Sequence, residues 1–126
     1  MNFNDNIYKL GLGIMRVETQ EEIDKMIVYA IKNGINYFEA CFFYNDMHCE
    51  TFLYNALKKF PRNSYYLCDK YPCSLLFNQN NDYEKFFFNQ LKRMNTDYFD
   101  YYLLQAIDAG YYSILKSHDI IEFLNK

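Results

Sequence analysis

A chain of 126 residues has room for one domain with a true core and excludes a two-domain enzyme. Half of it is apolar (51%) and a fifth aromatic (21%), which excludes a disordered chain. The net charge of -3, with adjacent basic residues only at Lys58-Lys59 and Lys92-Arg93, argues against a nucleic-acid partner.

The opening residues, MNFNDNIYK, are polar and slightly acidic, unlike the basic and then apolar start of a secretory signal. No apolar run approaches the roughly 20 residues of a membrane span. A cytoplasmic chain with no membrane partner is therefore expected. "YKLGLGIM" (Tyr8–Met15) is a short apolar run of strand type. Thr19 to Glu22 then form a capping box, with a hydroxyl and a carboxylate available to the free N–H groups of a helix start. Ile23, Met26, Ile27, Ala30 and Ile31 repeat along one helical face, and Gly34 stands where a left-handed cap is wanted.

The second unit runs from "INYFEACF" into a helix carrying Phe52, Leu53, Ala56, Leu57 and Phe60 on one face, with Pro61 as its stop. The third opens with "SYYLCDKY" (Ser64–Tyr71) and enters a helix with Tyr83, Phe86, Phe87, Gln90, Leu91 and Met94. The fourth starts at "DYFDYYLLQA" (Asp97–Ala106), and "SHDIIEFLNK" is its helix. Strands alternating with helices every 30 residues or so predict βα units around a parallel sheet. Two architectures compete: an open doubly wound sheet and a segment of a (β/α)8 barrel. "GLGIMR" lacks the third small residue of a G-x-G-x-x-G turn, which lowers the dinucleotide-fold reading.

Cys41, Cys49, Cys68 and Cys73 show no C-x-x-C spacing, and His48 and His118 lie far apart. No metal site is expected, and the thiols read as buried and reduced. The acids and phenols are more informative. Glu39 ends the apolar run of the second strand, and Tyr44 follows five residues on. Spacing alone does not single them out, because Asp24–Tyr29 and Asp97–Tyr102 repeat it. Position does: this pair straddles a strand's carboxyl end, where parallel α/β folds keep their chemistry. Lys70 ends the third strand and Gln105 the fourth, so an acid with a phenol, an ammonium and an amide meet one rim.

With these residues in place, the chain resembles the N-terminal half of an aldo/keto reductase of bacterial type. The likeness is carried by "LGLGIMR", "EEIDKMIVYAIKNGINYFEA", "ETFLYNALKKFPRNSYYLCDK" and "QLKRMNTDYFDYYLLQA". Family members typically read L-K-R-L-x-T-D-Y-x-D-x-Y-L-L-H at the last. The resemblance implies an α/β fold with parallel strands, the (βα)4 half of a TIM (β/α)8 barrel. Residues 1–126 are then a single truncated domain. It also implies NADPH- or NADH-dependent reduction of a small aldehyde or ketone.

The family's tyrosine protonates the carbonyl oxygen; its lysine, paired with an aspartate, lowers the phenol's pKa from about 10; its histidine orients the substrate. By motif position Tyr44 matches the proton donor and Lys70 the lysine. Glu39 stands at the aspartate's place and Gln105 at the histidine's, while Gly13, Ile14 and Met15 fall where the cofactor passes the first strand. Glutamate adds a methylene, and glutamine cannot become cationic. Because the family binds its nicotinamide cofactor mainly through strands five to eight, this chain alone is expected to bind none and to be inactive. Four strands do not close a barrel, which leaves two open edges and one apolar face uncovered. A homodimer paired through those edges, a complementary C-terminal half, or use as a non-catalytic interaction module are the partner expectations. Glu39 and Lys70 are expected to form a salt bridge.

Overall fold

The computed structural model describes residues 6–77, 82–116 and 118–125. Strands β1 (Leu12–Gly13), β2 (Tyr37–Glu39), β3 (Tyr66–Pro72) and β4 (Tyr101–Gln105) form one parallel sheet in the order 1-2-3-4. Helix α1 (Gln20–Lys32) crosses from β1 to β2, α2 (Cys49–Leu57) from β2 to β3, and α3 (Tyr83–Arg93) from β3 to β4. This is the expected α/β class with parallel strands.

Local chemistry explains the first crossover. The Thr19 hydroxyl accepts the Glu22 N–H at 3.2 Å and itself donates to the Glu22 carboxylate at 3.3 Å. Ile23, Ile27 and Ala30 are buried, and Gly34 leaves the helix with φ of +87°, a conformation glycine adopts without strain. That face meets Phe38 of β2, Leu67 of β3 and Leu53, Ala56 and Leu57 of α2 in the main core. Each such aliphatic or aromatic side chain contributes about 2 kcal/mol on burial, so this layer anchors β2 and β3. A second cluster of Tyr71, Cys73, Leu76, Leu115 and Ile120 covers the β3–β4 side.

Several boundaries differ from expectation: β1 keeps only Leu12–Gly13 of the run over Tyr8–Met15, and β4 starts at Tyr101 where Asp97 was expected. Helix α2 ends at Leu57, and Phe60 lies beyond it in a turn closed by its N–H to the Leu57 carbonyl at 2.9 Å. Proline disfavours helical backbone in the residue before it, so the helix stops well short of Pro61. After β4 there are two short helices, α4 (Ala109–Leu115) and α5 (Ile120–Leu124), where one was expected over 117–126. Residues 117 and 126 lie outside the described residues. Asp108 caps α4 by accepting the Tyr111 N–H at 2.9 Å, a start masked in the sequence by the poor helix formers Gly110 and Ser113.

Helices cover one face of the sheet. On the other, the rings of Tyr37 and Tyr66 lie 5.6 and 6.4 Å from that of Tyr101, and Leu103 is exposed beyond them. The uncovered face is therefore phenolic and amphipathic rather than plainly apolar. β1 and β4 each pair on one side only among the described residues. Among the described residues, no helix is long and apolar enough to cross a membrane.

Candidate active site

Parallel pairing fixes which side chains meet. Glu39 sits level with Cys68, Lys70 two residues further along β3 sits level with Leu103, and Gln105 sits level with Pro72. Side chains alternate along a strand, so Glu39, Lys70 and Gln105 rise from the same face, toward its carboxyl end. Tyr44 reaches them from the loop after β2, where its N–H bonds the Cys41 carbonyl at 3.1 Å.

At this mouth Lys70 Nζ forms an ion pair with Glu39 Oε1, so the longer acid meets the lysine despite its added methylene. The same ammonium lies 5.3 Å from the centre of the Tyr44 ring. Burial pushes the Lys70 pKa down, but its bond to Glu39 and its contact with Tyr44 outweigh burial and leave it raised above its usual value. Lys70 is thus held as a cation against a phenol.

Gln105 completes the group. Its Nε2 donates to the Tyr44 hydroxyl at 3.2 Å, and its Oε1 accepts from the Cys41 thiol at 2.7 Å. Burial pushes the Cys41 pKa up to about 11, so it remains a thiol and a donor. With the thiol fixing the amide, the N–H end faces Tyr44. The phenol oxygen accepts from Gln105, which leaves the hydroxyl proton free to point at an incoming acceptor. One N–H of the Gln105 amide is thereby committed to Tyr44.

The candidate cofactor residues are spread. Gly13 lies beside Glu39, Met15 is exposed, and the side chain of Ile14 is packed into the core, so only its peptide can face a ligand. Above them is a cleft of about 610 Å³ lined by Met15, Arg16, Glu18, Phe43, Asp46 and His48. Arg16 shares that lining with two acids, Glu18 and Asp46. The described residues do not fit a whole dinucleotide: they offer no cationic cradle for its phosphates. The loop from Asn45 to Met47 has three consecutive positive φ angles of 54°, 50° and 67°, a run in which non-glycine residues are strained.

His48 is exposed and stacks on Phe52, and all four cysteines are free and buried. Two features were absent from the sequence reading. One is the Cys41 thiol, which looks like core filler in a sequence. The other is a buried polar cluster behind Lys70, formed by Glu50, Asp69, Gln90 and Arg93. The alternation of β3 pointed to it, because an acid between Leu67 and Tyr71 must face the helices.

Comparisons with known proteins agree with this architecture. The profile of the aldo/keto reductase family matches residues 9–126. A solved thermostable aldo-keto reductase, bound to the inhibitor epalrestat, is 27% identical with a TM-score of 0.68, over 92% of this chain and 46% of its own. An aldo/keto reductase from Brucella melitensis is 25% identical with a TM-score of 0.56, over 75% of this chain and 35% of its own. One from Klebsiella pneumoniae, in complex with NADPH, shares the fold at 20% identity and a TM-score of 0.67, over 90% and 42%. No curated protein sequence matches. The chain spans less than half the length of these solved relatives, as the (βα)4 half of a barrel does.

Proposed function

Because the chain belongs to the aldo/keto reductase family, we propose that it carries the proton-handling half of an NAD(P)H-dependent carbonyl reductase site. The observation that supports this reading is the convergence of the Tyr44 hydroxyl, the Lys70 ammonium and the Glu39 carboxylate at one mouth. A carbonyl oxygen placed there accepts the Tyr44 proton. The phenolate left behind is stabilised by the adjacent Lys70 cation and by the Gln105 N–H. Glu39 holds Lys70 in place. In the family the nicotinamide supplies hydride to the carbonyl carbon; the described residues here serve the oxygen.

Because those residues do not fit a whole dinucleotide, the chain alone binds no nicotinamide cofactor and needs a complementary C-terminal half. Titrating NADPH into the purified chain and following nicotinamide fluorescence is expected to show no saturable binding in the micromolar range. Co-expression with a polypeptide supplying strands five to eight is expected to yield NADPH-dependent reduction of small aldehydes that Tyr44→Phe abolishes. A rate that survives Tyr44→Phe sinks the assignment. The open edges of β1 and β4 favour a second reading, a non-catalytic homodimer paired through them. Light scattering separates the two, since that reading requires a stable dimer of the chain alone.

A further inference from the structure

Behind the mouth, on the helix side of β3, lies a sealed polar cluster that the proton chemistry does not use. Glu50 of α2, Asp69 of β3 and Gln90 of α3 are fully buried. Gln90 Nε2 donates to Glu50 Oε1 at 3.0 Å and to the Lys70 carbonyl at 3.1 Å, while its Oε1 accepts from the Tyr102 hydroxyl. Asp69 Oδ1 accepts the Lys70 N–H at 2.8 Å. Both peptide groups of Lys70 are therefore held by side chains.

The reason lies in where β2 ends. Peptide groups of alternate residues along a strand point to the same side. The Cys68 carbonyl accepts the Ala40 N–H at 3.0 Å, so the groups of Lys70, two residues on, point toward β2 as well. But β2 has already stopped at Glu39, and the chain has turned away toward Cys41 and Tyr44. The departure that brings Tyr44 over the mouth also takes the ladder partner from Lys70. Buried peptide groups left in this way need other partners.

We propose that Asp69 and Gln90 are positioning residues for Lys70, standing in for the absent strand so that the peptide bearing the amine is fixed where β2 peels away. The inference rests on the reading of Lys70 as the cation that serves Tyr44. Asp69 Oδ2 is buried and has no donor in reach when both acids are ionised. Burial, and then the neighbouring Glu50, raise the Asp69 pKa well above its usual value; a proton on Asp69 turns that approach into a carboxyl–carboxylate hydrogen bond. Neutral Asp69 still accepts the Lys70 N–H.

Two measurements test the proposal. In the unaltered protein the Lys70 amide is expected to resist hydrogen exchange as strongly as the ladder amides of β3, and exchange at loop rates overturns the proposal. With lysine labelled in 13C and 15N, the Nζ resonance assigned by Lys70→Arg is followed with pH. Loss of either clamp, in Gln90→Met or Asp69→Ala, is expected to move the Lys70 titration to lower pH. Asp69→Asn keeps an oxygen acceptor and is expected to retain the original titration. An unchanged Lys70 titration in folded Gln90→Met and Asp69→Ala overturns the proposal, and if neither folds, amide exchange decides it alone. A shift in both variants, together with reductase activity that survives Tyr44→Phe, would instead sink the proton-donor reading and leave the clamp standing.

Discussion

Strand β3 presents Lys70 to one side of the sheet and Asp69 to the other, and the two sides treat charge differently. On the mouth side, Lys70 pairs with a Glu39 side chain that keeps 29% of its surface in water. On the helix side, Glu50 keeps 1% and receives two contacts from Arg93, with Gln90 tying the pair to the Lys70 carbonyl. A partly wet pair is screened, adds little stability and remains free to respond to a ligand. The Glu50 carboxylate is buried although Arg93 reaches it from a partly exposed position, so it cannot lose that partner without leaving a charge in a poor solvent. One strand thus separates chemistry from support by the alternation of its side chains.

The largest effect expected from this contrast is that of Arg93→Met. It leaves Glu50 buried and unpaired, a loss of about 3–5 kcal/mol read from the urea midpoint. Adding Glu50→Leu in the same chain removes the orphaned charge and is expected to recover most of the loss. If Arg93→Met costs under about 1 kcal/mol, the helix-side pair behaves as a surface pair and the contrast fails.

Next comes Asp69→Asn, with the opposite sign. The folded state keeps a proton on Asp69 above the pH, near 3.8, at which the unfolded chain loses it. Between that pH and the raised folded value, stability falls as pH rises, and above it the loss is complete. Asparagine carries no such proton, and its amide can donate to Glu50 at every pH, whereas Asp69 Oδ2 has no partner once it is ionised. The variant is expected to be more stable than the parent at pH 7 by roughly 1–2 kcal/mol, the cost of an unsatisfied buried group. The gain should shrink toward pH 4. Equal pH profiles for parent and variant would show that Asp69 titrates in the folded state as it does in the unfolded.

The mouth was more legible in the sequence than its support. Glu39, Lys70 and Gln105 each close an apolar run in a βα repeat, and parallel order alone brings such positions to one rim. The helical face of Ile23, Ile27 and Ala30 was equally open to reading, because period and capping box agree. The Glu50–Gln90 bond joins residues 40 apart on two helices, a contact that neither helix periodicity nor spacing encodes. Cys41 was hidden for another reason: a thiol among apolar neighbours reads as core, and only the fold reveals Gln105 within reach. Helix α4 escaped because propensity is weak where glycine and serine interrupt so short an element.

The smallest effect on stability belongs to Glu39→Gln, although Glu39 stands at the centre of the proposed chemistry. Glutamine keeps the shape of the side chain and loses the charge that raises the Lys70 pKa, while the burial that lowers it remains. In the parent, the folded state holds the Lys70 proton above the pH, near 10.5, at which the unfolded chain releases it. The pair's contribution is therefore fully present below that pH and is lost as pH rises through the folded value. At pH 7 the variant is expected to be less stable by at most about 1 kcal/mol, because the pair is partly solvated. Urea midpoints followed from pH 7 to pH 12 should converge at the alkaline end, where Lys70 is neutral in both proteins. A loss near 3 kcal/mol at pH 7 would put the mouth pair in the same class as Glu50–Arg93 and erase the distinction between the two sides of β3.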